Sequence, residues 1–168
     1  MTTRGFTLIE LLCVVALISI LASITLPSLS GLFARMQVQA QAHRLLAATS
    51  MARSSAMKQR EPVTLCPVVS ESGQTERCGG RFDQGYGVAF SRRSNWLRLY
   101  PLNDKRIQIL NRDGSAPVTQ SITWDANGFG NRNLTLSVCR LGSAENWALI
   151  LNRAGRPRLA RGWGSCPG

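Results

Sequence analysis

Lysine is nearly missing from this chain. Of its 20 basic residues only Lys58 and Lys105 are lysines; the others are arginines. There is one histidine, His43, and only nine acidic residues stand against the basic ones, so the 168-residue chain carries a formal net charge of +11. No cysteine lies close to the histidine and no glycine-rich phosphate loop is present. The usual acid–base, nucleophilic and nucleotide-binding constellations are therefore lacking, and no enzymatic activity is expected. Internal repeats are lacking too. What is abundant is arginine, whose planar fork bonds phosphate and carboxylate in pairs and stacks on flat rings. A charge this basic suits a polyanionic partner such as nucleic acid, anionic lipid or surface polysaccharide; the competing reading is that it only maintains solubility.

Cysteine is used in a way that excludes a metal site. Cys13 falls within an apolar run, while Cys66, Cys78, Cys139 and Cys166 lie in the polar part. Their spacings are too wide for zinc and His43 is far away in sequence, so neither metal nor cofactor is expected. Disulfides in an oxidising compartment fit better, and four cysteines allow three pairings.

Long apolar stretches are limited to one, Phe6 to Leu26, where 16 of 21 residues are apolar and Glu10 is the single charge. As a helix it would extend about 32 Å, enough to cross a bilayer core. Arg4 on its short side favours an N-terminus-in orientation. A carboxylate within such a run is costly, which marks Glu10 as a functional candidate unless it simply snorkels to the headgroups. The stretch "RGFTLIELLCVVALISILASITLPS" resembles the N-terminus of type IV pilins and type II secretion pseudopilins. That resemblance implies cleavage by a prepilin peptidase between Gly5 and Phe6 and N-methylation of Phe6. It also implies an assembly role for Glu10, facing the new amino terminus of a neighbouring subunit.

Beyond Pro27, which should kink the helix, an apolar stripe is predicted through Leu29, Leu32, Phe33, Met36, Ala40, Ala47 and Met51, with His43 on it as a packing residue and Arg35 and Arg53 opposite. Pro62 should end the helix. From there the period becomes 2: "VTLCPVV", "YGVAF", "NWLRLYP", "RIQIL", "SITW", "LTLSVCR" and "NWALILNR" read as strands, separated by glycine turns at Gly73, Gly80, Gly114, Gly128 and Gly155. Closely spaced strands with no helix between them indicate antiparallel sheets packed on one helix, an α+β layout. The domains expected are a leader at 1–5, a membrane or filament-core helix at 6–28, its amphipathic continuation at 29–61 and a β domain at 62–168.

The second half, from "TLCPVVSESGQTERCGG" through "ITWDANGFGNRNLTLSVC" to "LILNRAGRPRL", is similar to the FimT/GspH family of minor pilins and pseudopilins. FimT-like members are associated with a Gly-Arg-x-Arg motif implicated in binding DNA during natural transformation, and Gly155-Arg156-Pro157-Arg158 matches it. The residues agree on their own terms. From Asn146 onward there are four arginines and no acid. Gly155 can take positive φ, Pro157 biases Arg156 toward an extended backbone, and alternate residues then project to one side, so Arg156 and Arg158 would point together. Arg153 and Arg161 flank them. Two other readings stay open: arginines guarding a sheet edge, a task lysine would do as well, or an acidic protein partner. Trp163 is expected to pack beneath the closing cysteine rather than to stack on a base.

The reading is thus a pilin-like α+β protein, methylated, held in the inner membrane by one pass with its C-terminal domain periplasmic, and incorporated into a pilus. It would bind DNA largely without regard to sequence, besides other pilins and the prepilin peptidase. The alternative is a purely structural minor pilin or pseudopilin. Disulfides Cys66–Cys78 and Cys139–Cys166 are expected to clamp the polar insert and the arginine tail.

Overall fold

The computed structural model describes residues 7–69, 77–93, 95–102, 104–143 and 145–167, with backbone alone at 24–30. Gly5, Phe6 and the Gly73 turn lie outside the described residues. One helix, α1 (Leu8–Gln59), runs for 52 residues and continues through position 27. Thr7 caps it from an extended backbone, its hydroxyl accepting the amide of Glu10 at 3.3 Å, an interaction worth about 1 kcal/mol. It ends at Gln59, ahead of Pro62 as expected, where Arg60 takes the left-handed conformation (φ 51°); Lys58 in the last turn suits the negative end of the helix dipole.

The first part of α1, from Leu8 to Leu21, presents apolar side chains to solvent all round. Among the described residues no helix is long and apolar enough to cross a membrane; the run expected to span, 6–28, lies partly outside them. The second part is covered on one side, and on a different side from the one predicted. Ala34, Val38, Ala42, Leu45, Ala48, Ala52 and Ala56 are buried, whereas Leu32, Phe33 and Met36 are more than half exposed and Ala40, His43 and Ala47 are also exposed. Leu29 is among the positions without described side chains. Size explains the difference: alanines let sheets approach a helix closely, so the covered stripe is the one with the smallest residues. His43 stands at the boundary, its ring 5.8 Å from that of Trp147.

Two antiparallel sheets rest on this stripe. The first holds β1 (Val63–Val69), β2 (Arg77–Cys78), β3 (Gly85–Phe90), β4 (Trp96–Pro101) and β6 (Ile122–Trp124), in the order β2-β1-β3-β4, with β6 pairing the start of β1. The second holds β5 (Ile107–Leu110), β7 (Leu134–Arg140), β8 (Trp147–Leu151) and β9 (Pro157–Arg161), in the order β5-β7-β8-β9. Every strand read from the sequence is present within one or two residues. The additions are β2, a short 3-10 helix at Phe82–Gln84, and β9. Alternation sets the core: Leu136 and Val138 of β7 lie beside Leu149 and Trp147 of β8 on the helix side. Trp124, Tyr86 and Phe82 are the largest fully buried side chains. The Gln41 amide donates to the Tyr86 hydroxyl at 3.2 Å; burial pushes that phenol well above its ordinary range.

Both disulfides form as expected. Cys66–Cys78 ties β1 to β2 across a sequence separation of 12, and Cys139–Cys166 ties β7 to the tail across 27; closures of that size contribute about 3 to 4 kcal/mol through the unfolded chain. Cys13 is free and exposed on α1. The tail crosses the outer face of the second sheet, where the Ser165 amide donates to the Arg112 carbonyl (2.9 Å) and Asn146 Nδ2 to the Gly164 carbonyl (3.0 Å).

Candidate functional site

The turn joining β8 to β9 carries the arginines, and the core fixes its position. Its backbone closes on Asn152, whose carbonyl accepts the Gly155 amide (2.9 Å) and whose Oδ1 accepts the Arg156 amide (3.1 Å). Gly155 sits at φ +73°. A Cβ there would run into the carbonyl oxygen of Gly128 and stand 2.9 Å from Cδ1 of Trp124, so the backbone angle and the space both require glycine. The fully buried Trp124 indole donates from Nε1 to the Gly155 carbonyl at 3.1 Å. On the far side the Arg153 carbonyl accepts the Gly130 amide at 3.0 Å.

From this anchored turn β9 leaves as the outer strand of its sheet. Leu159 packs toward the core, so alternation places Arg158 on the outer face. Arg153, Arg156 and Arg158 are exposed, and among the described residues their side chains make no hydrogen bond or ion pair. Arg161 differs. It forms a forked pair with Glu145, Nε to Oε1 at 2.6 Å and Nη2 to Oε2 at 3.0 Å. The arginine holds the Glu145 carboxyl below the ordinary carboxylate range. The sequence expectation grouped Arg161 with the free arginines because its acid-free count began at Asn146, one residue after the partner.

The tail aromatic departs from expectation as well. Trp163 remains 45% exposed, with the Arg112 guanidinium 5.2 Å above its ring, rather than being packed away under Cys166. A second aromatic, unnoticed in the sequence, lies closer to the turn: Phe129, 57% exposed, on the loop that touches Gly155. Glu10 is exposed in the first turn of α1. Among the described residues no group of three or more histidine, cysteine, aspartate or glutamate side chains could hold a metal ion.

Comparison with known proteins agrees with this architecture. Residues 41–155 match the family described as type II transport protein GspH, and residues 1–26 match the prokaryotic N-terminal methylation motif. The chain is 25% identical over 166 residues to the pilin-like protein PilA1 of Thermus thermophilus, covering 95% of this chain and 99% of the relative. Crystal structures of the type IV minor pilin FimU of Pseudomonas aeruginosa share the fold in two crystal forms. One has a TM-score of 0.58 at 22% identity over 75% of this chain and 90% of FimU; the other scores 0.56. The GspH match ends at Gly155, immediately before Arg156.

Proposed function

The chain belongs to the GspH family, and on that premise we propose that it is a minor type IV pilin that binds DNA through Arg153, Arg156 and Arg158 and supports DNA uptake in natural transformation. The observation that carries this reading is the pair Arg156 and Arg158, exposed and, among the described residues, unpartnered, beside a turn bonded to the core indole of Trp124. A guard on a sheet edge needs only charge, and can be mobile. Arginines whose backbone is held by Asn152, Gly130 and Trp124 are pre-positioned, which reduces the ordering cost of gripping a phosphate chain. Contacts of this kind are made to phosphates, so binding is largely indifferent to sequence.

The other end of the molecule supplies the anchor. A helix apolar all round needs lipid or neighbouring helices around it; the run from Phe6 meets that need in the inner membrane before assembly and among other pilins after it. The domain beyond is periplasmic. The methylation motif supports cleavage by a prepilin peptidase between Gly5 and Phe6, with Glu10 placed to meet the new amino terminus of a neighbour.

A second reading, a structural minor pilin or type II pseudopilin without DNA binding, is favoured by the exposed Leu32, Phe33 and Met36. Cells carrying Arg156→Ala with Arg158→Ala separate the two. Under the proposal transformation falls sharply while pili still assemble; transformation at the parental rate would favour the structural role.

A further inference from the structure

The proposal above leaves Phe129 unused. Its ring is more than half exposed, yet its loop is held by several hydrogen bonds. Asp125 Oδ1 accepts the amides of Asn127 and Phe129, both at 2.9 Å, and the Asp125 amide donates to the Phe129 carbonyl at 3.0 Å. Gly128, at φ +81°, accepts the Nε–H of Arg53 on its carbonyl at 3.1 Å. A Cβ on Gly128 would lie 2.8 Å from Sδ of Met57. The phenyl ring is therefore presented to water by a loop whose own polar groups are satisfied.

Its surroundings are cationic. Gly128 touches Gly155, the residue before Arg156, and Gly130 bonds the Arg153 backbone, so the backbone of the Phe129 loop adjoins that of the Arg153–Arg156 turn, and Arg53 bonds the Gly128 carbonyl. The acid of this loop, Asp125, spends one carboxylate oxygen on the loop's own amides. A protein partner would favour further apolar side chains around the ring, such as those along Leu32, Phe33 and Met36. An exposed ring on a loop whose backbone adjoins an arginine-bearing turn fits an unstacked nucleobase attached to a phosphate chain, since base stacking and phosphate pairing are how single strands are held.

We infer that Phe129 is a stacking platform for an unpaired base and that this end of the domain prefers single-stranded DNA or a frayed duplex end. The inference rests on the arginine reading and extends it, because a duplex offers no free base face to Phe129.

Fluorescence titration of the full chain in detergent micelles, with a short oligonucleotide as single strand and as duplex, tests it. Phe129→Leu keeps the bulk and removes the aromatic face; Phe129→Trp restores one. The leucine variant should bind the single strand roughly 5- to 150-fold more weakly, the range found when one stacking aromatic is lost. Its salt dependence should stay unchanged, its duplex binding nearly so, and the tryptophan variant should bind like the parent. Trp163→Leu should have little effect. Parental affinity in Phe129→Leu, or equal losses on single strand and duplex, would overturn the platform while leaving the arginine reading intact. Failure of the parent protein to bind either DNA would defeat the arginine reading and this one with it.

Discussion

Replacing Gly155 by alanine tests whether the arginine turn is locked to the core. The residue sits at φ +73°, where an L side chain costs about 1 to 3 kcal/mol. The new Cβ also overlaps the Gly128 carbonyl and crowds Trp124. Relief requires the turn to move away, which breaks the bond from Trp124 Nε1 and strands a buried indole N–H at about 1 to 3 kcal/mol. Together the loss should be roughly 3 to 5 kcal/mol, a fall in Tm on the order of 10 °C for a chain of this size. Gly142 supplies the control: it has a similar angle, φ +75°, with nothing within 4 Å of a Cβ. Gly142→Ala should therefore cost the backbone term alone, about 1 to 3 kcal/mol. The assay is thermal unfolding followed by near-ultraviolet circular dichroism. Equal falls in Tm for the two variants would refute the claim that the contact with Gly128 and Trp124 fixes the turn.

Glu145→Gln should leave the salt slope of duplex binding nearly unchanged, because Arg161 pairs with Trp147 on the Leu159 side of β9, opposite Arg158; a slope steeper by about 0.9 would instead put Arg161 in the DNA path. Arg161 holds the Glu145 pKa down, so any stability from the pair is present above the unfolded carboxylate pKa and is lost as pH falls through the lower folded value. By NMR the Glu145 carboxyl should titrate below an ordinary glutamate and return to the usual range in Arg161→Ala. Exchanging Cys139 and Cys166 together for serine should cost about 3 to 4 kcal/mol, read in denaturant unfolding. Ala48→Leu should destabilise by about 1 to 3 kcal/mol through overpacking, whereas Ala47→Leu on the exposed side should be tolerated.

Strands and turns were legible because their signals are local. Alternation marked seven strands, and Gly80, Gly114, Gly128 and Gly155 all take positive φ where the sequence reading put turns. The helix stripe was misread because large apolar residues were weighted over small ones. Leu32, Phe33 and Met36 do share a face, but it is the one left uncovered, and what decides coverage is how closely sheets built from later parts of the chain can approach. The pair Arg161–Glu145 was hidden for the same reason: it depends on β8 and β9 lying side by side. Likewise Phe129 reaches the arginine turn only because β6 pairs with β1 and Trp124 bonds Gly155. Pro157 was taken as a conformational bias on Arg156. In the structure it also opens β9, an edge strand, where a residue without an amide donor is tolerated.

The most direct measurement is the affinity of the full chain for duplex DNA as a function of salt, for the parent and for Arg156→Ala with Arg158→Ala. Each neutralised phosphate contributes about −0.9 to the slope of log affinity against log salt. If both arginines grip phosphates, the double variant should flatten that slope by nearly 2. It should also lose affinity equally for unrelated sequences while keeping its Tm, since exposed arginines contribute little to stability. An unchanged slope and affinity would contradict the account and leave these arginines as guards of a sheet edge.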